Sequence, residues 1–294
     1  MRVTYKMILS SLLDNISNIS ERINNLEKQA ASGKRINKPS DDPYAYNKSL
    51  SFKSLKKSMS QFEKNLSSGK EWLSTTDTAL QSANDLLIRA KEIALSASND
   101  TMSADERETA AIEVQGLFEQ MVQIANTKLG SKYIFAGTAV STEAFDSNGN
   151  YNGNSSNINI EIDANKRMTI NFTGDNIFKG ASGGEDVFDV LSDLKTALEN
   201  NDTDNIASQI SRIDTSMNQV LDYRANTGAK INQIENTETW YEDSKARLDI
   251  LLSENEDADI IEVLTQLAKE QSAYKATLAT TSEIMSNTLA EFLK

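Results

Sequence analysis

Histidine and cysteine are absent from the 294 residues, and proline occurs only twice. Without histidine the chain lacks the commonest general acid–base and the commonest metal ligand. Without cysteine there is no disulfide, no thiolate nucleophile and no soft metal site. Two prolines and an aromatic content of 6% disfavour a compact α/β core and permit long uninterrupted helices. No run approaches the roughly 18 apolar residues that a membrane span needs, so no membrane partner is expected. The opening stretch to Leu13 is broken by Ser10 and Ser11, is followed by Asp14 and offers no small-residue cleavage site. A cleaved secretory signal is therefore not expected, and departure from the cell would need another route.

Charge excludes a further class. A net charge of −13 and a pI near 4.6 argue against a nucleic-acid partner. The charge is uneven, because residues 1–70 hold 13 Lys/Arg against 6 Asp/Glu. Most of the excess follows the first predicted helix, at Lys34, Arg35, Lys38, Lys48, Lys53, Lys56 and Lys57. One reading is a solvated basic face; the other is a patch that meets acidic surface on a neighbouring subunit.

What is present is hydrophobic periodicity. Leu9, Leu12, Ile16, Ile19, Ile23, Leu26 and Ala30 recur at spacings of three and four, the seam of a coiled coil. Gly33 can end that helix in the left-handed conformation, and Asp42 before Pro43 reads as an N-cap followed by a proline in the first turn. A second helix is predicted from Pro43 to Ala97, with Leu66, Leu73, Leu80, Leu87 and Ala94 in heptad register and Ala83, Ala90 and Ala97 at partner positions. It would span roughly 80 Å, a rod rather than a globule, with Ser67-Ser68-Gly69 as its weakest point. Ser103 and Glu106 form a capping box for a third helix that carries Ile112, Val114, Leu117, Met121 and Ile124 and is expected to stop at Gly130.

The composition then turns to Gly, Asn, Ser and Asp. Within it Ile158, Ile160 and Ile162, and then Met168, Ile170 and Phe172, alternate with polar residues around Asp163–Lys166, which predicts a β-hairpin. Helix resumes at Asp186–Leu198 and again from about Asp204 to Ser253. The last helix carries Ile260, Leu264, Leu267, Tyr274, Leu278, Met285 and Phe292. The expected fold is mainly α: a long antiparallel coiled-coil or helical-bundle rod with a small inserted β-containing domain. The expected segments are the N-terminal helix (1–42), a helical part (43–130), the insertion (131–185), a second helical part (186–258) and the C-terminal helix (259–294). The terminal seam residues Leu9, Leu12, Ile16, Ile19, Ile23, Leu26, Leu264, Leu267, Tyr274, Leu278, Met285 and Phe292 are too thin a stripe to be buried alone, so they are predicted to pair and to carry assembly.

No constellation for chemistry emerges. Asp146-Ser147-Asn148-Gly149-Asn150 begins like a calcium loop but has Tyr151 where the turn glycine belongs and Asn157 where the bidentate glutamate belongs. The acids Glu254–Asp259 are expected at a helix N-terminus on dipole grounds. No phosphate loop, nucleophile elbow or zinc spacing is present. The chain is read as a non-enzyme with no catalytic residues, no cofactor and no metal.

The segment Ala31–Pro43, with Gly33, Arg35, Asn37, Pro39, Asp41, Asp42 and Pro43, resembles the flagellin superfamily, and its Pro-Ser-Asp-Asp-Pro version resembles the hook–filament junction branch. Tyr133–Thr138 is similar to the turn that leaves that family's third helix, and Gln271–Ala276 with Leu289–Leu293 resembles the junction branch's tail. The resemblance implies a structural adaptor that self-assembles between hook and filament outside the cell. It implies export through the flagellar type III system. The implied partners are copies of itself, a neighbouring hook-associated protein, flagellin and a flagellar export chaperone. A filament flagellin is the alternative within the superfamily. A type III needle-tip or translocator protein is the alternative from another class, but it would lack the Arg35–Asp42 signature.

Overall fold

The computed structural model describes residues 2–99 and 102–292, with side chains over 6–99 and 102–285. In chain order the helices are α1 (Arg2–Ser32), α2 (Pro43–Ala97), α3 (Ala104–Ala125), α4 (Gly174–Phe178), α5 (Val187–Glu199), α6 (Thr203–Glu256) and α7 (Ile260–Phe292). Two short antiparallel pairs lie between α3 and α4: β1 (Lys128–Leu129) with β2 (Lys132–Tyr133), and β3 (Asn159–Asp163) with β4 (Lys166–Thr169). The mainly-α expectation with a small β part holds. The chain forms two compact units. One contains residues up to Ser58 together with those from Asp243 onward; the other is Met59–Glu242.

Local chemistry sets the helix ends. Gly33 at φ +70° follows α1, and its N–H donates to the Gln29 carbonyl at 2.9 Å. Asp42 Oδ1 accepts the Ala45 N–H at 3.0 Å, so α2 starts at Pro43 as expected. Ser103 and Glu106 make both bonds of the capping box. In contrast, α3 ends at Ala125, not at Gly130. The Asn126 carboxamide donates to the Phe145 carbonyl and accepts its N–H at 2.8 and 2.9 Å, which draws the chain away from the helix. Gly130, at φ +60°, lies between β1 and β2 instead.

The core of the 59–242 unit is the heptad stripe. Leu66, Leu73, Leu80 and Leu87, with Ala83, Ala90, Ala94 and Ala97, are fully buried. Most of them join Val114 and Met121 of α3, Leu194 of α5, and Ile206, Ile213 and Val220 of α6 in one cluster. Ile112 stands out of it, 71% exposed, because it lies on the face of α3 opposite the stripe of Ala111, Val114, Leu117 and Met121. Segment 131–185 contributes Phe135, Phe145 and Phe178 to the same cluster, and the Phe145 ring lies 5.0 Å from that of Phe188 in α5. The Asp146 loop is an Asx turn: its carboxylate accepts the N–H groups of Asn148 and Asn150.

The β3–β4 hairpin has the register Ile160↔Met168 and Asp163↔Lys166. It is seated on α2 and α6 through its backbone carbonyls. Tyr241 Oη donates to Ile162 O at 2.6 Å, and Asn65 Nδ2 donates to Glu161 O at 2.9 Å. Gly69, expected as a weak point, lies within an unbroken α2. A Cβ there would meet Ile160 Cδ1 at 2.6 Å, so the missing side chain lets the hairpin approach the helix.

Candidate assembly site

Within the terminal unit α1 packs against α7. The pairing is antiparallel: Arg22 reaches Glu270 with two bonds of 3.1 Å, while twelve residues later Lys34 is bridged to Asp257. Ile19 is buried at the centre of α1, with Leu12, Ile16, Ile23 and Leu26 half-buried along the same stripe and Leu9 exposed. On α7 the covered residues are Val263, Leu267, Glu270, Tyr274, Thr277, Thr281 and Ile284, a regular alternation of four and three. Leu267 and Tyr274 therefore occupy the seam. Leu264 (50% exposed), Leu278 (43%) and Met285 (51%) lie one position off it and face outward. The Phe292 side chain lies outside those described. Half of the sequence-based register is thus displaced by one residue, because the largest apolar side chains do not mark the covered stripe where threonine and glutamate fill it.

The connector between α1 and α2 is stapled to the turn between α6 and α7. Arg35 N–H donates to Glu256 O at 2.8 Å, and Ala258 N–H donates to Gly33 O at 2.9 Å. Arg35 Nη2 reaches Asn255 O at 3.0 Å, and the Gln29 amide holds Arg35 O at 3.1 Å. The Asp41 carboxylate accepts the N–H groups of Asn37 and Lys38, both at 3.0 Å, and these bonds hold its carboxyl below the ordinary value. Ile36 is buried beneath the connector, and Pro39 and Pro43 bracket the turn. Asn255 Nδ2 bonds both Ala45 O and Ser49 Oγ at 2.7 Å on α2. The motif residues Gly33, Arg35, Asn37, Asp41 and Asp42 thus act as a backbone clamp, which no spacing argument revealed.

Glu256 is the electrostatic centre of that clamp. It is buried, and its two oxygens take Lys34 Nζ at 2.7 Å and Lys53 Nζ at 2.5 Å. Burial by itself would raise its carboxyl, but the hydrogen bonds and positive charges of the two lysines together outweigh burial and hold it below the ordinary value. The Glu256 hydrogen bond in turn raises Lys34. Lys56 pairs with Asp249 at 2.5 Å, and Arg35 with Asp42 at 3.7 Å. Much of the basic excess after α1 is therefore neutralised within the chain. The acids near 256, read from sequence as helix-start residues, include the partner of these lysines; the opposite charge of the two segments was the available signal.

The linkage has a definite sign. A depressed carboxyl contributes stability that is complete above its unfolded value and is lost as pH falls through the folded one. Acidification below the ordinary glutamate value of 4.5 should therefore loosen the clamp. Amide hydrogen exchange at Arg35 and Ala258 is expected to accelerate on acidification, after correction for intrinsic rates. In Glu256→Gln it should be fast already at neutral pH and show little further change. Equal protection in both proteins at both pH values would remove Glu256 from this role.

Residues 3–140 match the bacterial flagellin N-terminal helical region. Among curated relatives, flagellar hook-associated protein 3 of Escherichia coli (strain K12) is 27% identical over 303 residues, covering 94% of this chain and 96% of the relative. That of Salmonella typhimurium is 25% identical over 312 residues, covering 98% of each. The fold is similar to the crystal structure of the flagellar junction protein FlgL from Legionella pneumophila. That likeness has a TM-score of 0.60 and 18% identity, and it covers 70% of this chain and 100% of the other.

Proposed function

The chain belongs to the flagellin superfamily, and from that premise we propose that it is the structural adaptor subunit of the hook–filament junction. It works by self-assembly and not as an enzyme. Its partners are further copies of itself, a neighbouring hook-associated protein on the hook side and flagellin on the filament side. It reaches the cell exterior through the flagellar type III channel, and a cytoplasmic chaperone covers its C-terminal helix beforehand. The terminal helices Leu9–Leu26 and Leu264–Phe292 carry the assembly contacts.

The observation that carries this reading is the apolar surface left over after α1 and α7 have paired. Met7, Ile8, Leu9 and Leu13 on α1, and Leu264 and Leu278 on α7, remain between 36% and 67% exposed. Large apolar side chains left this exposed after the helices have paired are available to a neighbouring subunit. Leu264 and Leu278 are separated by two heptads, the spacing of a second seam on the same helix.

The double variant Leu264→Asp/Leu278→Asp tests it. Both positions face water in the isolated chain, so each change should alter stability by no more than about 0.5 kcal/mol. Cells carrying only this variant should make hooks that lack filaments. Normal filaments would overturn assembly through this face, and cooperative unfolding would show that the residues belong to the fold. If complete loss of the gene left filaments attached to hooks, the junction role itself would fail.

A further inference from the structure

Away from the terminal helices, one groove in the 59–242 unit has the chemistry of a small-ligand site. It is an open groove of about 420 Å³, lined by Lys166 at the start of β4 and by Ala229, Asn232, Gln233, Asn236, Thr237 and Trp240 of α6. The α6 residues recur at three and four, so they form one continuous strip of the helix surface. The strip carries no charge, although a quarter of the chain's residues are charged. The carboxamides of Asn232, Gln233 and Asn236 and the ammonium of Lys166 bond no described side chain or backbone group. Trp240 is 54% exposed and presents much of its ring to solvent. It stands edge-on to Tyr241 at 4.9 Å, and Tyr241 is buried and anchored to Ile162 O. An exposed aromatic face therefore sits beside three planar amides with their hydrogen-bonding capacity unspent.

We propose that this groove binds a neutral oligosaccharide. The carbon-bound hydrogens of a pyranose ring pack against an indole face, while a carboxamide offers a donor and an acceptor in one plane to neighbouring hydroxyls. A cationic ligand would find no carboxylate in the lining, and an anionic one would approach a chain of net charge −13 with a single lysine to receive it. The volume lies in the range of small-molecule clefts, roughly 300–1,000 Å³. A protein partner would engage roughly 20–30 residues on each side, against seven here.

The full chain is titrated with maltotetraose, cellotetraose and chitotetraose while indole emission is followed. Trp72 is buried at 6% exposure, so Trp240 is the ring able to respond. At least one of the three sugars should give a saturable shift with a midpoint below about 10 mM. The shift should vanish in Trp240→Phe and weaken about fivefold in Asn236→Ala, the loss of one net hydrogen bond. Both variants change exposed positions, and unaltered far-ultraviolet circular dichroism verifies their fold. No saturable response to any of the three sugars overturns the proposal, as does a response that survives Trp240→Phe. Emission that varies with protein concentration alone, together with a dimer in sedimentation, would assign the groove to a second copy and also overturn it.

Discussion

Ile19→Asp is expected to separate α1 from α7 while leaving the 59–242 unit folded. Ile19 is the most deeply buried apolar side chain on α1, at 8% exposure. A carboxylate there loses the packing of the isoleucine and is taken out of water in the seam, for a combined destabilisation of about 3–5 kcal/mol. Neither helix has a strong reason to persist alone. Their stripes are narrow, and helices in water draw most of their stability from packing. Far-ultraviolet circular dichroism should lose much of the signal of the 31-residue α1 and the 33-residue α7. Trp72 emission should stay that of a buried indole. Unchanged helicity would mean that the pairing does not sustain these helices. The contrast with Leu264→Asp/Leu278→Asp is informative, since that variant should keep the helices and lose only assembly.

Gly137→Ala should be the most damaging small substitution in the other unit. Gly137 lies at φ +67°, and a Cβ on it would stand 1.9 Å from the Asn154 carbonyl oxygen and 2.9 Å from its carbonyl carbon. Those atoms are backbone, held further by the Asn154 side chain, which accepts the Thr138 N–H at 3.0 Å and bonds the Thr138 hydroxyl. Left-handed strain and forced displacement together destabilise by about 3 kcal/mol, or roughly 6–12 °C in the melting of a unit this size. Gly33→Ala is the control. Its φ of +70° is nearly the same, but nothing lies within 4 Å of the added carbon, so only the strain of about 1 kcal/mol remains. Equal effects at the two sites would show that the crowding against Asn154 relaxes freely.

These two glycines show where sequence reasoning reaches and where it stops. Gly33 was legible as a helix terminator because its neighbours along the chain supply the whole context. Gly137 was legible only as part of a family-like turn, since what forbids a side chain there is a carbonyl seventeen residues away. Gly69 was misread as a weakness for the same reason: the hairpin that uses its bare surface lies about ninety residues further on.

The sequence by itself determined the long helices, most of their ends and the β3–β4 hairpin. Pro43 behind Asp42, Ser103 with Glu106, the leucine heptad from Leu66 to Leu87 and the alternation around Asp163–Lys166 all act within a few residues, so backbone sterics and side-chain period suffice to read them. Tertiary structure decided which of two apolar stripes on α7 is covered. Periodicity shows that a helix is amphipathic, but the phase of the buried stripe depends on the partner. Here α1 covers Thr277 and Thr281 and leaves Leu278 in water. Tertiary structure likewise made Glu256 the counter-charge of Lys34, a pair 222 residues apart. Opposite charge in two segments permits such a pair, but only the antiparallel register of the terminal helices brings these two side chains to 2.7 Å.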